Sequence, residues 1–208
     1  MTKEMQIPDP AATDPTKRQA ILDACFKLFA ERGFAGTDVE HVAQLAKVGK
    51  GTVYRYFGNK EELFRATVNA AMQKLENHYY SAIAEISDIY ELIRVGGMAY
   101  AEFYEQNPEL VEIIIQERAE FRGAVPDTHL MYRERNRKPF EKLLRQAMTE
   151  GKVRQLDVRE TVTALANLLY GTVVTGCLQG ATSDIKKSTK HALDLFIEGI
   201  RPRKSDDV

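Results

Sequence analysis

The sequence predicts an all-α protein with a small N-terminal helix-turn-helix and a larger helical body. Apolar residues recur at three- and four-residue intervals from Ile21 to Ile200, and beyond Tyr80 no segment alternates apolar and polar residues as a half-buried strand would. Residues suited to starting or stopping helices, including Gly33, Thr37, Asn59 and Gly151, fall at the ends of those stripes. The stripes are short between Thr37 and Phe57 and long afterwards, which marks a compact head on an extended bundle.

Ile21, Cys25, Leu28 and Phe29 define a first helix, Thr16 to Arg32, with Gly33 in the left-handed position beyond it. Thr37 and Glu40 read as a capping box that opens a second helix, whose inner face is Val39, Val42, Ala43 and Ala46. Ala46 to Gly49 is a short connection, and Lys50 to Phe57 is a third helix of about two turns. Asn59 caps a fourth helix, striped by Leu63, Phe64, Thr67, Val68, Ala71, Met72 and Leu75 and continuing to Tyr80. Asp88 to Gln106 is helical despite Gly96 and Gly97. Asn107 and Pro108 open a helix to Phe121. Gly123 to Asp127 is a loop, and Thr128 to Glu150 is a helix that Pro139 should kink or split. Asp157 to Leu178 and Ser188 to Ile200 complete the body. The expected organisation is a disordered leader over 1–15, the helix-turn-helix domain over 16–60, the helical body over 61–201 and a tail over 202–208.

Composition narrows the function classes. A chain of 208 residues with 44% hydrophobic and 28% charged residues is ordinary for a soluble globular protein. No run approaches the roughly 18 consecutive apolar residues of a membrane span. Cys25 and Cys177 are far apart and each sits at an apolar helical position, as buried thiols in a reducing cytoplasm do. The net charge of −1 conceals an asymmetry: eight basic and four acidic residues between Thr16 and Lys60 make the head +4, which leaves −5 elsewhere. His41, His78, His129 and His191 are scattered, with no metal spacing, nucleophile elbow or phosphate loop, so the sequence points to no enzyme, metal or cofactor.

The third helix carries the candidate chemistry. At 100° per residue Val53 and Phe57 share one side, facing the first two helices, while Gly51, Thr52 and Arg55 point away. Tyr54 and Tyr56 take the flanks and Lys50 the N-terminal edge. Such a face fits the major groove of double-stranded DNA, with Arg55 placed for bidentate pairing to guanine and the tyrosine hydroxyls for phosphates. Lys60 in the next helix is a further phosphate contact, and Lys17 and Arg18 are backbone or minor-groove contacts. The alternative is a helix-turn-helix kept as a protein-interaction module, with the same residues forming a solvated face.

The run AKVGKGTVYRYFGNKEEL, Ala46 to Leu63, resembles the signature of the TetR/AcrR family of one-component regulators, as do ILDACFKLFAERGF, Ile21 to Phe34, and Thr37. Lys47 and Gly49 depart from the glycine and serine usual in the turn. By position the resemblance implies DNA contacts at Thr37, Lys50, Gly51, Thr52, Tyr54, Arg55, Tyr56 and Lys60. It further implies a cytoplasmic homodimer on a palindromic operator, acting as a repressor and released by a small apolar or amphipathic effector bound in the body. The dimer helices would be the last two, where Val162, Leu165, Ala166, Leu169, Val173 and Cys177 form one stripe and Ala192, Leu193, Phe196 and Ile200 another, with Gly171 and Gly176 allowing close approach. The same stripes would also serve the monomer's own core. Effector candidates are Met98, Tyr100, Phe103, Tyr104, Ile114, Glu117, Phe121, Met131, Tyr132 and Tyr170, a mostly apolar set in which any one residue equally fits a packed core.

Overall fold

The computed structural model describes residues 14–121, 128–180 and 184–203. Most of the expected leader, the Gly123 to Asp127 loop and most of the tail lie outside the described residues. Among the described residues the elements are helices alone: α1 Pro15–Gly36, α2 Val39–Leu45, α3 Lys50–Phe57, α4 Lys60–Ile83, α5 Ile89–Gln106, α6 Glu109–Glu120, α7 Thr128–Thr149, α8 Val158–Leu178 and α9 Ile185–Ile200. They cluster into two compact units. One holds the described residues up to Met72 together with those from Glu112 to Thr128, and the other holds Gln73 to Val111 and those from His129 onward. The first unit therefore extends well beyond the 16–60 segment outlined by sequence pattern.

In the first unit, Asp14 caps α1 by accepting from the Thr16 and Lys17 backbone N–H groups. Gly33 has φ 73 and ψ 171, a conformation open essentially to glycine, so the regular helix stops where the sequence places the stop. Ile21, Cys25 and Phe29 on α1, Val42 on α2, Val53 on α3 and Leu63, Phe64 and Val68 on α4 are all buried. Phe29 and Phe64 meet edge to face with ring centres 4.9 Å apart, and Phe34 and Phe121 extend the cluster. Burial pushes the Cys25 thiol up to about 12, against the opposing hydrogen bond from Thr67, so it stays protonated at neutral pH. No disulfide joins Cys25 to Cys177.

In the second unit, Ile89, Ile93, Leu144, Met148, Val162, Leu165, Leu193, Ile197 and Ile200 build a core from α5, α7, α8 and α9. Gly97 is there for packing: a Cβ would lie 2.6 Å from Leu193 Cδ1, and at Gly96 one would lie 2.7 Å from the Tyr79 ring. The close helix approach outweighs the roughly 1 kcal/mol that an interior glycine costs. The second half of α4 is tied to α7, where Glu76 accepts from Arg135 and Asn136 and the Tyr80 hydroxyl donates to Asn136. Pro139 sits inside α7, which runs unsplit from Thr128 to Thr149, and α9 starts at Ile185, one turn earlier than the stripe suggested.

One expectation is corrected here. Val162, Leu165, Val173 and Leu193 are buried in the second unit of the monomer itself, so they are core residues and offer no surface to a partner. Ala166, Leu169, Cys177 and Phe196 are half-buried. Gly176 is likewise taken internally, since its Cβ would lie 2.5 Å from Ile185 Cγ1. Separately, α8 is long and apolar enough by length and composition to cross a membrane, and 17% of its apolar window is buried. Thr, Asn and Gly at intervals interrupt its apolar residues, so it contains no long unbroken apolar run.

Candidate nucleic-acid interface

The α2–turn–α3 segment positions the site. Asp38, not Thr37, caps α2, its carboxylate accepting from the Glu40 N–H at 2.8 Å. Thr37 is 2% exposed, and its hydroxyl donates inward to the Leu28 and Gly33 carbonyls at 3.1 and 2.8 Å. That removes Thr37 both as the cap and as a DNA contact; it locks the end of α1 to the start of α2. The hydroxyl's choice of the Leu28 and Gly33 carbonyls was not visible in local sequence.

At the other end of α2, the Val48 N–H donates to the Ala43 carbonyl and the Lys47 N–H to the Gln44 carbonyl, a Schellman arrangement that satisfies the last helical carbonyls. The motif needs a left-handed residue, and Lys47 occupies it with φ 56, a conformation that glycine adopts at no steric penalty. Gly49 then starts α3 without a side-chain cap.

On α3 the anchors Val53 and Phe57 are buried at 1% and 8% exposure. Gly51, Tyr54 and Arg55 are exposed, and Thr52 and Tyr56 are half-buried. Nothing lies within 4 Å of a Cβ built at Gly51, so its bare backbone is open to approach. The Arg55 guanidinium lies 5.7 Å from the Tyr56 ring centre, and among the described residues no carboxylate pairs with it. Tyr56 turns its hydroxyl to accept the Asp14 N–H at 2.9 Å, which fastens the start of α1 to the flank of α3. Lys17 lies 3.7 Å from the Asp14 carboxylate, and Arg18 covers the Phe57 ring. The Thr16 N–H, aided by Lys17, holds the Asp14 carboxyl below the usual carboxylate range.

Two predicted phosphate contacts carry intramolecular partners. Lys50 lies 3.7 Å from Glu40 and 3.9 Å from Asp38. Lys60 donates to the Ala35 carbonyl at 3.4 Å and sits 4.6 Å over the Phe34 ring. Asp38 is held below its ordinary range first by the Glu40 N–H and then by the positive charge of Lys50 and its neighbours. Asp38 and Glu40 are the residues that the sequence reading missed; their spacing from Lys50 becomes short only when the turn folds.

A two-turn helix with an apolar back and a bare front, set behind a Schellman turn, is the geometry of a helix-turn-helix reading head. The family described as bacterial regulatory proteins, tetR family, matches residues 21–67. Over those residues, and so over its helix-turn-helix segment, the chain is similar to that family. Among curated relatives, this chain is 34% identical over 104 residues to the uncharacterized HTH-type transcriptional regulator YhgD of Bacillus subtilis, covering 50% of this chain and 54% of the relative. It is 29% identical over 100 residues to the HTH-type transcriptional repressor NicS of Pseudomonas putida, covering 48% and 47%. The chain thus spans about half the length of these two relatives. In fold it is similar to the fatty acid degradation regulator FadR of Bacillus halodurans, with TM-score 0.74, 22% identity, and coverage of 92% and 99%.

The effector candidates are distributed over both units. Ile114, Glu117 and Phe121 belong to the first, where Glu117 accepts from the Thr128 N–H and hydroxyl and Phe121 packs on Phe34 and Phe64. Met131 is 53% exposed. Met98, Tyr100, Phe103, Tyr104, Tyr132 and Tyr170 lie in the second, with Tyr100 and Tyr104 ring centres 5.0 Å apart.

Proposed function

We propose that this chain is a transcriptional regulator in the cytoplasm that binds a palindromic DNA operator as a homodimer and is released by a small molecule. The observation that carries the reading is Arg55: exposed, paired with no described carboxylate, and mounted on a helix anchored from behind by Val53 and Phe57. Arginine so presented pairs bidentately with guanine in the major groove, while Tyr54 and Lys17 approach phosphates beside it. Repression is the proposed mode; the relative NicS is named a repressor.

The dimer is proposed through the more exposed sides of the same two helices, which keep Gly171 and Ala192 and leave out the buried Val162, Leu165, Val173 and Leu193. On α8, Ala164, Leu168, Gly171, Thr175 and Leu178 follow a four-three-four-three spacing on the less buried side, with Leu178 56% exposed. On α9, Ala192, Leu195 and Gly199 continue the pattern, Leu195 being 63% exposed. No atom lies within 4 Å of a Cβ at Gly171 or Gly199. Small and apolar residues at heptad-like spacing suit helix packing against a second copy of the same face. A second copy also accounts for the uncovered apolar length of α8. Such a dimer would set two reading helices about 34 to 36 Å apart, or a small multiple of it. For release, an effector bound in the second unit must favour the conformation that does not bind DNA. The Glu76 and Tyr80 links from α4 to α7 are a route by which α4, which also enters the first unit, would respond.

Selection of bound sequences from a random duplex pool tests the reading. It should recover an inverted repeat whose half-sites are separated by about one helical turn or a small multiple. Recovery of no enriched sequence would refute operator binding.

A further inference from the structure

Three helices of the second unit bring pairs of polar residues, each one turn apart, to the same region, where Tyr100 lies within electrostatic reach of Tyr170 and Arg133. On α5 these are Tyr100 and Tyr104, on α7 His129 and Arg133, and on α8 Asn167 and Tyr170. The His129 and Tyr170 rings lie 4.8 Å apart. One turn further along both helices, Arg133 donates to the Asn167 side-chain oxygen at 2.7 Å and to the Thr163 carbonyl at 3.5 Å.

Two features there have no structural explanation in packing alone. Tyr104 is 1% exposed, yet its hydroxyl has no hydrogen-bond partner among the described residues. A buried hydroxyl without a partner is destabilising, and phenylalanine would fill the same volume without that cost. Burial, with the nearby Tyr100 and Tyr170 phenols, keeps this hydroxyl protonated far above the ordinary tyrosine range, so it remains a neutral donor. The second feature is Arg133, half-buried and bonded only to neutral oxygens, with no carboxylate partner among the described residues. A guanidinium in that setting has its strongest available partner, a carboxylate, still to meet. Its charge is also felt at Tyr100, whose pKa burial raises and the adjacent Tyr104 phenol, and more weakly Arg133, lower.

The geometry points to an organic acid as the effector, its carboxylate held by Arg133, its body lying over Tyr100 and Tyr170, and a second oxygen accepting from Tyr104. The site deepens the effector-responsive part of the proposed function and rests on it. Asn167 positions the guanidinium, and the phenol rings provide an apolar floor that a neutral body can cover.

The test uses the full chain with medium-chain ω-hydroxy acids, the matching simple acids and the matching alkanols as probes, followed by calorimetric titration. The hydroxy acids should bind tightest, the simple acids next and the alkanols weakest. Arg133→Met should weaken both acid series about tenfold and leave the alkanols unchanged, since a charged hydrogen bond is lost. Tyr104→Phe should abolish the advantage of the hydroxy acids over the simple acids, while the variant melts no lower than the parent. Alkanols binding as tightly as acids, indifference to Arg133→Met, or no binding by any probe would overturn the assignment. DNA release by neutral compounds alone would also overturn it while leaving effector control intact. Arg133-dependent acid binding that leaves DNA affinity unchanged would uphold the site and instead sink effector control.

Discussion

Lys50 Nζ lies 3.7 Å from Glu40 Oε2, so the basic residue at the leading edge of α3 is partly neutralised by the helix before it. All three side chains of the Lys50, Glu40 and Asp38 group are well exposed, which limits each ion pair to at most about 1 kcal/mol. Glu40→Gln should therefore raise affinity for duplex DNA of any sequence by about two- to fivefold at low salt, with the gain fading as salt screens the charge. Fluorescence anisotropy across a salt series checks this; a loss of affinity would place Lys50 away from the phosphates.

Arg55→Ala should cut discrimination at one base pair per half-site by about 1 to 3 kcal/mol, and Arg55→Lys should restore total affinity better than selectivity. The readout is a binding-site selection on each variant. Selectivity identical to the parent's would remove Arg55 from base recognition.

Thr37→Val should destabilise the chain by about 1 to 3 kcal/mol, because the Leu28 and Gly33 carbonyls lose their donor in a buried setting. Base preference should be unaffected. Urea denaturation, paired with site selection, separates this framing role from a contact role, and altered base preference in a stably folded variant would argue for contact.

Lys47→Gly should stabilise the chain by about 1 kcal/mol, relieving a non-glycine residue at φ 56 in the turn between α2 and α3. A lower denaturation midpoint would mean that the lysine side chain contributes more than its backbone strain costs.

Leu195→Asp should yield a folded monomer, since Leu195 is 63% exposed, whereas Leu193→Asp should unfold the second unit, since Leu193 is fully buried. Sedimentation equilibrium with circular dichroism distinguishes the two. A Leu195→Asp protein that remains a dimer would move the interface off this face.

Much of the reading head was legible from residues alone because its determinants are local. Helical periodicity placed Val53 and Phe57 behind and Arg55 in front, Gly33 marked the stop, and Asn59 capped α4 by accepting the Glu62 N–H. Periodicity reports which residues share a face, but it does not say which neighbour covers that face. Only the tertiary structure decided that Val162, Leu165 and Leu193 turn into the monomer core while Leu195 and Gly171 are left open. Long-range packing likewise turned Thr37 inward and set Glu40 and Asp38 beside Lys50. The orphaned Tyr104 hydroxyl belongs to the same class: a tyrosine's lack of a partner depends on three helices meeting, and no one of them encodes it.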